Sequence, residues 1–317
     1  MREVIVDPRD NFVRRISLNH CRSILKPHLV FVCGGEVDLR ETQKNLTIRN
    51  MFMNCAGNKS LREFILAEDF KDWQKGYSDL SAFENDIASI SSLVAIILES
   101  PGALAELGLF YANEEIRQKL IVVVHSEHYE SASFIKFGLL DPLEGLDPRF
   151  VLPFDIDPEN IEKISKDEVK DIVDEIDEFC SSIQETEKFD RSHRGHQIFL
   201  IFQIIDLFLA LTKTEIFRYL ELLGISISKK NVTAALFILE KFGQVEIKKR
   251  SSQSFYFATK GASARIEFKA EPNKGRIDKA SIKIEVGEFF RLSAKTNRSD
   301  QNRIKLIEVI NKTGFKQ

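Results

Sequence analysis

The stretch Leu93-Val94-Ala95-Ile96-Ile97-Leu98 constrains the fold more than any other, because six apolar residues follow one another with no alternation. A strand with one wet face alternates, whereas a continuous run fits a parallel strand covered on both faces by helices. Turn material follows at once in Glu99-Ser100-Pro101-Gly102. Ser100 suits a helix cap, Pro101 the first helical position, and Gly102 a close approach of ligand to backbone. The next residues, Ala103 to Tyr111, predict a helix with Leu104, Leu107, Gly108 and Tyr111 on one face and a single carboxylate, Glu106. In an open parallel sheet, ligands gather beyond the carboxyl ends of the strands. A nucleotide or sugar pocket is therefore expected at this turn.

The surrounding chain repeats the rhythm. His28 to Cys33 is a second apolar strand running into Gly34-Gly35-Glu36, which reads either as a ligand loop or as a tight turn. Residues 37–59 read as helical with a loop from Asn54 to Asn58, and Leu61 to Leu66 as a short strand followed by Ala67-Glu68-Asp69-Phe70. Ser81 to Ser91 carries Phe83, Ile87 and Ile90 at helical spacing, which sets Glu84 and Asp86 on different sides of a helix. Lys119 to Val124 and Phe150 to Phe154 complete the strand set. Strands alternating with helices predict a doubly wound, Rossmann-like α/β domain over residues 1–154.

Charge divides the remainder. Residues 155–190 hold 14 Asp/Glu against 4 Lys/Arg, and residues 191–317 hold 24 Lys/Arg against 12 Asp/Glu. Ile172, Val173, Ile176 and Phe179 recur at three and four within the acidic stretch, so 155–196 reads as a linking helix with a solvated acidic face. Within 197–317, helices are expected over Gln197–Leu211, from Lys213 or Thr214 to Leu223, and over Lys229–Phe242, followed by a hairpin turning at Ser251-Ser252. Three helices and a basic hairpin predict a smaller winged helix-turn-helix α+β domain, with a basic extension as a tail or a further helix over Asn302–Asn311. Lys229 and Lys230 on the third helix and Lys248, Lys249 and Arg250 on the wing are the candidate nucleic-acid contacts, although such folds also dock proteins.

Cys21, Cys33, Cys55 and Cys180 lack C-x-x-C spacing and read as reduced thiols of a cytoplasmic protein. The first residues have no apolar signal core, and Phe199 to Leu211 is too short and too polar to cross a membrane. No metal is expected: His125 and His128 form an H-x-x-H pair with no accompanying carboxylate or cysteine set.

Taken together, Phe31-Val32-Cys33-Gly34-Gly35, Glu68-Asp69, Phe83-Glu84-Asn85 and Glu99-Ser100-Pro101-Gly102-Ala103-Leu104-Ala105-Glu106-Leu107-Gly108 resemble the effector (toxin) proteins of type II bacterial retrons. The resemblance implies an amino-terminal half similar to nucleoside 2-deoxyribosyltransferases and a winged-helix carboxyl-terminal half. It implies Glu106 as the nucleophile at the anomeric carbon, and Cys33, Gly34, Gly35, Glu36, Ser100, Pro101 and Gly102 as ribose and phosphate contacts. It further implies a role in phage defence, beside a reverse transcriptase and a multicopy single-stranded DNA joined to RNA, in a higher-order complex that restrains the toxin. The implied activity is N-glycosidase cleavage of NAD or a related nucleotide, with NAD as substrate and no cofactor. This sequence has Leu66-Ala67 where related members show a Tyr-Pro before the acidic pair.

The chemistry agrees with such a role. Breaking an N-glycosidic bond builds oxocarbenium charge, which a carboxylate in reach stabilises or traps. Asp69 and Glu84 are the candidates for a second acid, with Glu36 behind them, while Trp73 and Tyr77 either stack on a base or pack. Two other readings stand beside this one: a nucleoside-monophosphate phosphoribohydrolase, and a nucleotide-sensing DNA-binding regulator without catalysis.

Overall fold

The apolar runs of the first half pair with one another in a computed structural model that describes residues 6–38, 47–57, 59–70, 72–272 and 274–313. Strands β1 (His28–Cys33), β2 (Arg62–Ile65), β3 (Leu93–Ile97), β4 (Leu120–His125) and β5 (Val151–Phe154) form one sheet in the order β2-β1-β3-β4-β5. Every neighbour is parallel, with Val30 opposite Leu93 and Val94 opposite Leu120. The chain is thus an α/β protein with a Rossmann-like parallel sheet. Residues Leu93–Ile97 are all buried, as the unbroken apolar run required. Because β1 leads outward to β2 and the chain then crosses back to β3, the sheet switches direction between β1 and β3.

The chain divides into two compact units, one of Leu25–Gln74 and Ser78–Glu185, the other of Met1–Ile24, Lys75–Tyr77 and Thr186–Gln317. In the first, α1 (Ile48–Ala56), α2 (Leu80–Ile90), α3 (Pro101–Ala112) and α4 (Lys166–Ser182) accompany the sheet. Of the helix expected over 37–59, residues 39–46 and 58 lie outside the described residues, Val37 and Asp38 are not helical, and α1 starts after its cap Thr47 and runs on to Ala56, through Asn54–Ala56 where a loop was expected. On α2, Phe83, Ile87 and Ile90 are buried as their spacing predicted. On α3 the buried face is Ala103, Leu107 and Phe110, whereas Leu104 is 38% exposed. Of the expected face, Leu107 is buried, while Leu104, Gly108 and Tyr111 have the same three-and-four spacing as the buried stripe displaced by one residue. In a helix this apolar nearly all round, periodicity does not choose between the two.

The acidic helix α4 belongs to the first unit's core. Ser165 and Glu168 form a capping box at its start, and Val169, Ile172, Val173 and Ile176 are buried along one side. Asp177 on that helix accepts from Arg62 Nε at 2.6 Å and Lys59 Nζ at 2.5 Å. Arg62 also donates to the carbonyls of Ala56 and Gly57 at the end of α1. One buried guanidinium therefore fastens α1, β2 and α4.

The second unit runs α5 (Arg194–Leu207), α6 (Lys213–Leu222), α7 (Lys229–Lys241) and an antiparallel hairpin of β6 (Val245–Arg250) and β7 (Gln253–Ala258), then α8 (Lys279–Ser293) and α9 (Arg298–Thr313). A small antiparallel sheet joins Arg22–Ile24 to Thr186–Lys188 and Ile266–Glu267. Much of the basic extension is thus two helices. Arg303 on α9 is 1% exposed and pairs with Glu215 at 2.6 Å and with Asp300, while Arg9 reaches the same Glu215 at 2.8 Å. Both guanidinium groups lie over the Phe290 ring, at 4.3 Å for Arg303 and 4.9 Å for Arg9.

Removing one partner of a buried pair leaves the other charge uncompensated and costs about 3–5 kcal/mol. Glu215→Ala takes one carboxylate from each of two buried guanidinium groups, leaving Arg9 with Asp7 and Arg303 with Asp300, and deletes the acceptor of the Thr212 N–H at the start of α6, whereas Arg303→Met leaves Glu215 still paired with Arg9. Denaturant unfolding should show Glu215→Ala to be the more destabilised of the two; equal midpoints would mean that the Arg9 pair contributes little.

Candidate active site

A cavity of about 410 Å³ opens at the carboxyl end of β1, wholly within the first unit. Its wall is built from Phe31, Val32 and Cys33 at the end of β1, Arg49 on α1, and Ala67, Glu68 and Phe70 after β2. Trp73, then Leu80 and Glu84 from α2, and Glu106 from α3 complete it. Two of the three predicted acid residues, Glu106 and Glu84, therefore meet here.

Glu106 sits one turn into α3, on the helix that Ser100 starts by accepting from the Ala103 N–H at 3.1 Å. Its Oε2 is buried and accepts no hydrogen bond. Burial, with the charge of Glu84, pushes its carboxyl up to about 7; Arg49 opposes, Glu68 adds, and a hydrogen bond from the Cys33 thiol opposes. Glu84 is 7% exposed, and burial together with the charge of Glu68 raises its carboxyl too. Burial likewise holds the Cys33 thiol well above its ordinary range, so it remains a neutral donor.

Arg49 was given no role by sequence reasoning, and Glu68 entered only as half of the acidic pair Glu68-Asp69, of which Asp69 was the candidate acid. Arg49 is 3% exposed and is held by the carbonyls of Val32 at 2.7 Å and Gly35 at 3.0 Å. Its two terminal nitrogens also donate to Glu68, at 2.6 and 2.9 Å. Partial burial raises the Glu68 carboxyl, but the hydrogen bonds and the charge of Arg49 together hold the group below its usual range. A lone arginine in the otherwise uncharged helix Ile48-Arg49-Asn50-Met51-Phe52-Met53 was the available signal. Its partner was hidden because nothing in sequence pairs residue 49 with residue 68.

Asp69 lies elsewhere: it is exposed and does not line the cavity. Ala67–Phe70 is a 3-10 turn, in which successive side chains diverge by about 120°. Glu68 therefore takes the wall and its neighbour does not. Trp73 lines the cavity and stacks on Phe83, with ring centroids 6.4 Å apart and planes 19° apart. Tyr77 packs within the second unit, edge-on to Phe237, and donates to the Ala234 carbonyl at 3.3 Å.

The glycine loop is already occupied. Glu99 accepts from the backbone N–H groups of Gly35 at 2.9 Å, Ile48 at 2.6 Å and Arg49 at 2.9 Å. A Cβ on Gly35 would come within 2.6 Å of Thr47 Cγ2, and one on Gly34 within 2.9 Å of Arg49 Cδ. These glycines make room for the neighbouring chain. Gly34, Gly35, Glu36, Ser100, Pro101 and Gly102 are not among the cavity-lining residues, and Cys33 is. Glu36 is exposed, and its carbonyl accepts from the Thr47 hydroxyl at 2.7 Å. Lys229, Lys230, Lys248 and Lys249 are exposed in the second unit, with Lys248 paired to Glu246 at 2.7 Å; Arg250 is half-buried. Among the described residues, no group of three His, Cys, Asp or Glu side chains is placed to hold a metal ion, and no helix is long and apolar enough to cross a membrane.

A carboxyl raised from 4.5 to about 7 binds its proton more tightly when folded, so its neutral form stabilises the fold at low pH and this contribution is lost as pH rises toward 7. Glu106→Gln should therefore match wild type in stability below pH 4.5 and exceed it above pH 7, by about 1–3 kcal/mol. Denaturation midpoints measured at both ends of that window check this, and a Gln variant no more stable at pH 8 than wild type would contradict it.

The model of a family described as "STM3845 retron effector protein" matches residues 45–247 of the chain. The chain is also 29% identical over 126 residues to an Escherichia coli protein named "Retron Ec86 putative ribosyltransferase/DNA-binding protein", covering 39% of each chain. A second E. coli protein with the same description, from retron Ec73, is 29% identical over 114 residues, 34% of this chain and 35% of that one. The matched stretch thus spans well under half the length of either relative. The family match covers more than half of the chain and includes Arg49, Glu68, Glu84 and Glu106 of the cavity wall; the chain belongs to the STM3845 retron effector protein family.

Proposed function

We propose that the α/β unit hydrolyses the N-glycosidic bond of NAD or a related nucleotide, and that the protein is an antiphage toxin restrained by its retron's reverse transcriptase and msDNA. The observation that carries this reading is Glu106: a half-buried carboxyl pushed up to about 7, with a buried oxygen that accepts no hydrogen bond, in the same cavity wall as a second raised carboxyl. The ribosyltransferase named in the relatives' descriptions supports it.

In this mechanism the C1′–N bond breaks with its electron pair passing to the ring nitrogen, and the ionised Glu106 stabilises or traps the cation left at C1′. Water then adds at C1′, and its proton goes to whichever carboxylate of the Glu84–Glu106 pair is free. A nicotinamide leaving group departs from a cationic nitrogen and needs no acid. Trp73 offers a flat apolar face for the departing ring.

The test is mass spectrometry of nucleotide pools in bacteria expressing the chain alone, wild type beside Glu106→Gln. Loss of NAD with release of nicotinamide in the wild type only is the expected result, with turnover falling at least about 100-fold in the variant. Loss of another nucleotide with free base keeps the mechanism and changes the substrate. Pools equal to an empty-vector control, with folded protein present, overturn the glycosidase reading in favour of a nucleotide sensor.

For the second unit we propose a winged-helix domain that binds the retron's nucleic acid through Lys229, Lys230, Lys248 and Lys249. DNA binding named for the relatives, and the exposure of these lysines, support it. Each phosphate that a lysine no longer neutralises reduces the slope of log K against log salt by about 0.7 for a single strand. The quadruple alanine variant should therefore bind msDNA more weakly and with a shallower slope; an unchanged slope would mean that these lysines neutralise no phosphates.

A further inference from the structure

We propose that Glu68 is a positioning residue of the cavity, whose bidentate pairing with Arg49 neutralises the guanidinium that faces Glu84 and Glu106. The geometry is specific. Arg49 donates from Nη1 to the Gly35 carbonyl and Glu68 Oε1, and from Nη2 to the Val32 carbonyl and Glu68 Oε2. The two carbonyls fix the guanidinium in place but carry no net charge. Only the carboxylate of Glu68 answers its cation among these four hydrogen bonds, and it does so from a half-exposed position, 49% accessible against 3% for Arg49.

Glu106 feels Cys33 from β1, Arg49 from α1, Glu68 from the turn after β2, and Glu84 from α2. Replacing Glu68 by an amide changes this surrounding in two ways. It removes one negative neighbour and leaves the Arg49 charge unanswered. Both changes favour the ionised form of Glu106, so they add. Arg49 itself stays seated on its two carbonyls, so the effect is electrostatic at Glu106 and does not require the cavity to collapse.

This inference deepens the glycosidase reading and rests on it for its kinetic readout alone. The experiment titrates the carboxyl carbon of Glu106 by NMR in glutamate-labelled full-length protein, with the signal assigned from its loss in Glu106→Gln. In Glu68→Gln the midpoint should fall by at least about one pH unit relative to wild type. Glu68→Asp keeps the charge but draws it back by one methylene, and should give a smaller fall in the same direction. Where the protein turns over a nucleotide, the acid limb of the kcat profile should move by the same amount as the NMR midpoint. An unmoved midpoint in folded Glu68→Gln overturns the proposal, and an unmoved midpoint in Glu68→Asp does so if the Gln variant does not fold. A wild type that turns over no nucleotide would sink the glycosidase reading and leave the titration to decide this one.

Discussion

The carboxylate of Glu99 is the constraint on which the rest of the site depends. It stands just past the end of β3, accepts three backbone N–H groups, and so ties that strand end to the loop after β1 and to the first turn of α1. The first N–H groups of a helix have no partner within it, and a negative group there is favoured by the helix dipole as well. Fixing the start of α1 in this way fixes Arg49, whose own N–H is one of the three. Arg49 in turn binds the carbonyls of Val32 and Gly35 and engages Glu68. The order of causes runs from the turn after β3 to the cavity wall.

That arrangement inverts the usual use of a Rossmann-like sheet. The glycine-rich loop and the helix that follows the first strand ordinarily receive a pyrophosphate. Here a side chain of the protein fills that place, so a dinucleotide's phosphates need other partners. The cavity wall carries three carboxyls, Glu68, Glu84 and Glu106, against the single guanidinium of Arg49. Such a wall is poorly suited to phosphate and well suited to the sugar and to a cationic ring. Under the proposed glycosidase chemistry, these carboxyls would stabilise the positive charge that develops at the anomeric carbon.

The sheet was legible in the sequence because each buried parallel strand is a short apolar run closed by turn residues, as at Leu93–Ile97 and His28–Cys33. Glu106 was legible because it is the one carboxylate on a helix that opens at a strand's carboxyl end. Glu84 was legible only as a candidate, since helical spacing places it beside the buried stripe of Phe83 and Ile87 without saying what it faces. Arg49 was not, and Glu68 was legible only as half of an acidic pair, because the pairing of the two spans 19 residues of chain that no local period encodes. Glu99 read as turn material for the same reason: its partners are 51 and 64 residues away. The face of α3 was misplaced where an almost wholly apolar helix offers two equivalent stripes.

The basic carboxyl-terminal portion shows how a charge count is to be read once burial is known. Residues 191–317 carry 24 Lys/Arg against 12 Asp/Glu, which on composition alone describes a polyanion-binding surface. Yet Arg303 is buried against Glu215, Asp300 and Phe290, and Arg265 is only 6% exposed. Lys269 pairs with Glu267, and Lys283 with Asp206 at 2.5 Å. Some of the basic side chains are therefore engaged inside the unit, and Arg303 among them holds α9 to the start of α6. A buried, paired guanidinium attracts no phosphate, because its field is already answered at close range. The proposal of nucleic-acid binding therefore draws on exposed cations such as Lys229, Lys230 and Lys249 on the first turn of α7 and on β6, and not on the buried, paired ones that the charge count includes.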